Sequence, residues 1–452
     1  MTDRYELTML DAAIGSGTHE RECIFEVFTR RLPDSRRYGV VAGTGRLLDL
    51  IQQFRFGEAE LAWLRDAKVV RSETLDWLAD YRFRGSISGY REGELYFPGS
   101  PILVVDGTFA EAVLLETITL SVLNYDSAVA SAAARMVSAA SGRPLAEMGS
   151  RRTGEHSAVA AARAAFIAGF GATSNLEAGR RWGIPTMGTA AHSFTLLHDS
   201  EEEAFRAQVA ALGPSTTLLV DTYDVEAAVR LAVEVAGPGL GAVRIDSGDL
   251  PAQVAAVRSL LDSLGATGTK ITVTNDLDEY TIASLRAAPV DSYGVGTSVV
   301  TGSGHPASGM VYKLVAHRDA AGEWVNVGKK SLGKVTVGGR KFPVRTLRSS
   351  GIATAETIYV DQPSSATSST ATSGAATASG TAAATSTATS AGTSGERPLL
   401  VPLITNGVVD ARHTGPRGTA LARQHHEQVI AELPDDAFRL SRGDPAIPTV
   451  YA

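Results

Sequence analysis

A single cysteine, Cys23, stands among the 452 residues, so no internal disulfide can brace the fold and a reducing compartment is expected. It sits in the apolar run Cys-Ile-Phe-Glu-Val-Phe and reads as a packed strand residue rather than a reactive thiol. A basic excess is missing as well: 42 Lys and Arg face 49 Asp and Glu, a net charge of −7. With no basic stripe either, nucleic acid is not an expected partner, although a few local cations suffice to bind a small anion. Long apolar runs are also lacking. Phe109 to Leu123 is interrupted by Glu111 and Glu116 and falls short of the ~18 uncharged residues of a membrane helix. Met1 to Leu10 carries Asp3, Arg4 and Glu6 with no apolar centre, so no secretory signal is expected and the reading is cytoplasmic. His19 and the pair His425-His426 have no metal-ligand spacing, and no Cys/His zinc pattern occurs.

What is present is the composition of a globular protein, 44% hydrophobic and 20% charged, long enough for two or three domains. Residues 1–107 mix strand signals (Ile24 to Arg30, Leu95 to Phe97) with helical ones (Leu61 to Leu64, Thr74 to Tyr81), and Gly43-Thr-Gly45 reads as a turn before a helix. Helical spacing takes over from Thr108, and Ala158 to Phe166 is an alanine-rich helix ended by Gly169. Apolar runs then recur, each closing on polar residues: Thr217 to Val220 before Asp221, Ala242 to Ile245 before Asp246, Lys270 to Val273 before Thr274, and Val290 to Val295 before Gly296. Helices follow these runs, and the period is near that of a (β/α) barrel, whose strand C-termini build the active site. An open doubly wound sheet has the same local pattern. We place the barrel at 108–325, with 326–361 and 397–452 returning to the N-terminal domain. Lys334 to Val337 and Lys341 to Val344 read as a hairpin around Gly338-Gly339. Residues 362–396 are nearly all Ser, Thr, Ala and Gly, too poor in apolar bulk to offset ordering entropy, and read as a disordered insertion.

His192, in Thr-Met-Gly-Thr-Ala-Ala-His, follows a Gly-Thr turn at an expected strand end. It suits proton transfer or phosphoryl acceptance on nitrogen, with a structural histidine as the alternative. Asp224 and Asp249 each precede a helix and read first as caps, whereas Asp221 and Asp246 do not and read as functional carboxylates, able to grip ribose hydroxyls or Mg²⁺. Arg244 shares a strand face with Asp246, and its anionic partner is either a substrate carboxylate or Asp221. Gly294-Val-Gly296-Thr297-Ser298 lacks the third glycine of a dinucleotide fingerprint but has amides and hydroxyls for a phosphate. Arg151-Arg152 is a solvated pair or a phosphate contact. Together these suggest an enzyme handling a phosphorylated, polar substrate.

The ordered set Thr2-Asp-Arg-Tyr5-Glu-Leu-Thr-Met9, Gly149-Ser-Arg-Arg152, Thr173-Ser-Asn175, Gly188-Thr-Ala-Ala-His-Ser-Phe194, Arg244-Ile-Asp-Ser-Gly-Asp249 and Gly296-Thr-Ser298 resembles nicotinate phosphoribosyltransferases, with an actinobacterial flavour. The resemblance runs over nearly the whole chain; the Ser/Thr/Ala tract departs from it, outside every motif. It implies an irregular α/β barrel of the type II phosphoribosyltransferase kind, joined to a mixed α/β domain from both ends of the chain. It also implies phosphoribosyl transfer from phosphoribosyl pyrophosphate to nicotinate, the first step of NAD salvage from that acid, coupled to ATP hydrolysis with Mg²⁺ as cofactor. In that scheme His192 is transiently phosphorylated, beside Asp221 and Asp246. Tyr5 (from a neighbouring subunit of a homodimer), Thr189 and Arg244 hold nicotinate, and Arg151, Asn275, Gly296, Thr297 and Ser298 hold the phosphoribosyl donor. Mg²⁺ is carried by Asp246, Asp249 or the substrate pyrophosphate. The rivals are a barrel phosphoribosyltransferase using quinolinate or nicotinamide, and a non-catalytic metabolite-binding relative.

Overall fold

The computed structural model describes residues 1–33, 36–329, 336–361 and 395–452. Six short runs, Leu145–Glu147, Ala172–Thr173, Thr217–Leu219, Ala242–Ile245, Lys270–Val273 and Ser292–Val295, form one parallel sheet. Their side-by-side order is 172–173, 145–147, 292–295, 270–273, 242–245, 217–219. Leu218, Val243, Ile245, Ile271, Val273 and Val295 are all fully buried, the expected composition where both sheet faces are covered. A parallel bridge between Thr173 and Thr186 extends one edge. Among the described residues no backbone ladder joins that edge to Thr217–Leu219, so the sheet is a curled, irregular barrel open on one side.

Helices Val225–Ala236, Leu250–Ser263 and Glu279–Ser284 link successive strands. Asp224, Asp249 and Asp278 cap them, accepting from the amides of Ala227, Ala252 and Thr281. Asp224 and Asp249 therefore serve as caps, as their positions imply. The 25-residue helix Glu116–Ala140 is the spine of the molecule. Its first half buries Ile118, Val122 and Leu123 in the antiparallel core, and its second half buries Val129, Ala130 and Ala133 in the barrel core. Ser127 and Ser131 turn their hydroxyls to the backbone amides of Ala42 and Val40, tying the N-terminal segment to it.

An antiparallel sheet of seven strands flanks the spine, in the order Trp324–Asn326, Met310–Arg318, Glu22–Thr29, Leu103–Thr108, Ser86–Tyr90, Leu400–Thr405, Val408–Val409. Cys23 is buried in it, and burial pushes its thiol up to about 12, so the thiolate is not formed near neutrality. Three sequence expectations need correction. The barrel does not reach residue 325, because Met310–Arg318 already pairs with Glu22–Thr29 in the other sheet. Apolar alternation alone does not say which sheet a strand joins. The expected hairpin is displaced: Lys341–Leu347 pairs with Ala353–Val360, and the turn is made at Gly351 with φ +83°. Thr336 and Val337 lie in no strand, and residues 330–335 fall outside the described set. Of the Ser/Thr/Ala/Gly tract, 362–394 also falls outside it, whereas Gly395 and Glu396 belong to a strand, Gly395–Pro398, that pairs with Lys341–Leu347. Helix Gly415–Val429 packs on Glu155–Ile167 and Leu176–Trp182, so the C-terminal segment braces the barrel too.

Candidate active site

The polar clusters at Asp221, Asp246, Thr274 and Gly296 lie just beyond the C-terminal ends of barrel strands, where side chains face one mouth, whereas His192, expected at a strand end, follows only the isolated bridge at Thr186 and opens a helix. The segment after Thr186 crosses the open side of the barrel. Its Thr189 Oγ1 and Ala190 carbonyl accept from Arg244 Nη1 at 2.9 and 3.3 Å. Arg244 Nε donates to Thr274 Oγ1 at 3.0 Å, and Nη2 to Asp246 Oδ1 at 2.9 Å. The carboxylate facing Arg244 is thus Asp246, not Asp221, because the arginine and Asp246 share the inward face of one strand and its extension.

His192 begins the helix His192–Leu197, its side chain 41% exposed at the mouth. Nδ1 lies 3.2 Å from Thr222 Oγ1, while Nε2 faces Asp221 Oδ1 at 4.0 Å and Asp246 Oδ2 at 3.9 Å. Asp221 is held from below. Its Oδ2 accepts from the Asp246 amide at 2.8 Å and from Ser247 Oγ at 2.7 Å. Its Oδ1, buried and only 1% exposed with its side chain, has no hydrogen-bond partner among the described residues. A buried carboxylate oxygen without a partner carries a desolvation cost that nothing in the described chain offsets.

The opposite wall is built on Glu147, which the sequence reading missed. Glu147 Oε2 accepts from Thr173 Oγ1 at 2.6 Å and its Oε1 from the Gly149 amide; burial raises its carboxyl above the usual range. Asn175 caps Leu176–Trp182 and donates from Nδ2 to Ser150 Oγ at 2.9 Å. Gly149 packs so closely on Gly296 that a Cβ would meet Val300 Cγ1 at 2.3 Å and Gly296 O at 2.8 Å. The loops bearing Arg151 and Gly296-Thr297-Ser298 are therefore neighbours. Arg151 is exposed, and its side chain makes no hydrogen bond or ion pair among the described residues. Thr297 and Ser298 are half-buried, and Asn275 is exposed in left-handed backbone, φ +94°.

Two expected groups stand apart. Tyr5, 44% exposed on helix Arg4–Ser16, lies beside Glu116 rather than His192; burial, Glu116 and Glu6 push its hydroxyl up to about 12. Asp249 is spent on its helix cap. Thr222, Ser247 and Thr274 were visible only as members of polar runs; their partners come from other strands.

The family model described as nicotinate phosphoribosyltransferase (NAPRTase) N-terminal domain matches residues 1–124. The nicotinate phosphoribosyltransferase pncB1 of Mycobacterium tuberculosis is 52% identical over 458 residues, covering 99% of this chain and 94% of the relative. The nicotinate phosphoribosyltransferase of Bacillus subtilis is 38% identical over 361 residues, 77% of this chain and 73% of its own. Among solved structures, human nicotinic acid phosphoribosyltransferase superposes with TM-score 0.79 at 24% identity, covering 100% of this chain and 98% of its own. A nicotinate-nucleotide pyrophosphorylase from Pyrococcus furiosus superposes with TM-score 0.71 at 23% identity, covering 97% and 95%, which speaks for the shared fold alone. No helix among the described residues is long and apolar enough to cross a membrane. With near-complete coverage at this identity, the chain belongs to the nicotinate phosphoribosyltransferase family.

Proposed function

We propose that this chain transfers the phosphoribosyl group of phosphoribosyl pyrophosphate to nicotinate, with ATP cleavage coupled through His192. The observation that carries the reading is the placing of His192 Nε2 opposite Asp221 Oδ1 and Asp246 Oδ2, with Arg244 anchored across the same mouth. With Nδ1–H donated to Thr222, the Nε2 lone pair faces the cleft. It attacks the γ-phosphorus of ATP, an N–P bond forms and the P–O bond to ADP breaks. The two carboxylates then lie where an oxocarbenium-like charge develops as pyrophosphate leaves the anomeric carbon. Arg244 and Thr189 meet the nicotinate carboxylate, which nicotinamide lacks. Arg151, Asn275, Gly296, Thr297 and Ser298 line the side suited to the donor's phosphates. Tyr5, 44% exposed and set beside Glu116, would close the site of a second copy in a homodimer.

Among the described residues no three His, Cys, Asp or Glu side chains gather to cage an ion. That donor set fits Mg²⁺ carried by substrate, since Mg²⁺ retains waters and takes one or two carboxylates plus phosphate oxygens. Asp221 Oδ1 and Asp246 Oδ2 are the oxygens free to hold it, and when bound it would neutralise the departing pyrophosphate. The test is product formation from nicotinate, nicotinamide and quinolinate in parallel, each with and without ATP. Preference for nicotinate and stimulation by ATP are expected. Carbon dioxide release from quinolinate, or indifference to ATP, would overturn the reading.

A further inference from the structure

Arg244 has five N–H donors, and four of them are already spent inside the protein, on Thr274, Thr189, the Ala190 carbonyl and Asp246. One N–H, on Nη2, remains for a substrate. A two-pronged grip on a carboxylate is therefore not available without breaking an internal bond, and the direction of that single donor depends on what fixes the guanidinium plane. Thr274 does this from the next strand. Its Oγ1 accepts from Arg244 Nε at 3.0 Å and donates to Asp246 Oδ1. The hydroxyl has one proton, so its polarity is set: the proton goes to Asp246, the lone pair to Arg244. Asp246 Oδ1 thereby receives two donors, Thr274 and Arg244 Nη2, which turns Oδ2 out toward His192 Nε2 at 3.9 Å. Thr274 is itself 4% exposed, its amide is held by the Ile245 carbonyl at 3.0 Å, and that carbonyl is a second acceptor of its hydroxyl only at 3.5 Å.

We propose that Thr274 is a positioning residue for substrate selection: one hydroxyl aligns the arginine donor for the pyridine carboxylate and rotates the Asp246 carboxylate toward the reacting centre. The proposal rests on the nicotinate reading of the same site.

The experiment compares steady-state kinetics of Thr274→Val, Thr274→Ser and the unaltered enzyme, on nicotinate and nicotinamide. Valine keeps the methyl and the shape but removes the hydroxyl. Thr274→Val is expected to raise the nicotinate KM about tenfold, the scale of a hydrogen bond to a charged group. The nicotinamide KM should stay within about twofold, and Thr274→Ser should restore nicotinate KM to within about threefold of the unaltered enzyme. An unchanged nicotinate KM in Thr274→Val overturns the proposal, as does an equal rise for both substrates. Should Thr274→Val not fold, Thr274→Ala against Thr274→Ser carries the same comparison. If the unaltered enzyme does not use nicotinate at all, the parent reading fails instead, a distinguishable result.

Discussion

Carboxylates are buried in two parts of this molecule, and they are treated differently. In the antiparallel region Glu94 Oε2 receives Arg397 Nη1 at 2.8 Å and His425 Nε2 at 2.9 Å, while its Oε1 receives Arg397 Nη2 at 3.2 Å. Glu356 is closed by Tyr90, Ser100 and Arg345, and Glu92 by Arg163 and the Gly43 and Gly45 amides. Both oxygens of each are engaged. At the barrel mouth Asp221 has one oxygen doubly bonded and the other buried with no partner, facing a half-exposed histidine. In the first group each buried oxygen has a donor within the chain, whereas Asp221 Oδ1 has none among the described residues. Glu94 and Glu356 fasten C-terminal segments to N-terminal ones and Glu92 fastens helix Glu155–Ile167 to the Gly43–Gly45 turn, whereas the Asp221 oxygen faces His192 at the mouth.

The comparison breaks most visibly at His192. His192→Ala removes the imidazole that faces the open oxygen and should lower the ATP-coupled rate of product formation about a hundredfold or more. The same variant should retain no acid-labile label from γ-phosphate-labelled ATP, while its thermal stability stays near that of the unaltered protein, since the half-exposed His192 side chain makes one long hydrogen bond, to Thr222 at 3.2 Å. A variant that still traps label would place the phosphoryl acceptor elsewhere.

Glu94→Gln tests the closed side and should do the reverse. A neutral amide is left among Arg345, Arg397 and His425, and removing one member of a buried pair costs about 3–5 kcal/mol. Melting near neutral pH should fall by several degrees, with kcat/KM of the folded fraction unchanged. Burial alone would raise the Glu94 carboxyl, but His425, Arg345 and Arg397 around it hold it well below the usual range. A depressed folded-state pKa gives stability that is present above the unfolded value of ~4.3 and is lost as pH falls through the folded one. The gap in melting temperature between the two proteins should therefore narrow as the medium is acidified below ~4.3. A gap independent of pH would mean that Glu94 is not held as an ion.

How much of this was readable beforehand follows from the same contrast. Four of the six barrel strands, from Thr217–Leu219 to Ser292–Val295, were legible because a buried parallel strand writes itself as a continuous apolar run, and the polar residue after each run marks the mouth. Asp221 and Asp246 were found that way, Arg244 by sharing a strand face with Asp246, and His192 by its Gly-Thr turn. Thr222, Ser247 and Thr274 stood in those same polar runs without a role. Thr222 acts on a residue 30 positions away, and Thr274 on Arg244 at the same separation, pairings that exist only once strand order is known. Glu147 ends a three-residue strand too short to show a pattern. The closed cluster was invisible for a stronger version of this reason. Glu94 meets Arg397 across 303 residues, and the hairpin signal near Gly338-Gly339 pointed to the wrong strand pair.

Ser247 gives the finest test, because it touches the open carboxylate only on its closed oxygen. Its Oγ donates to Asp221 Oδ2 at 2.7 Å, but the Asp246 amide holds the same atom at 2.8 Å, and Ser247 is exposed enough for water to take its place. Ser247→Ala should therefore cost less than the ~1.5 kcal/mol of a full charge-assisted bond, a fall of about threefold in kcat. Initial rates with saturating nicotinate and ATP measure it, with Ser247→Thr as the control that keeps the hydroxyl. A loss in Ser247→Ala as large as that in His192→Ala would mean that Asp221 is poised by its supporting bonds rather than by its unpaired oxygen, and the distinction between open and closed carboxylates would not describe how this site works.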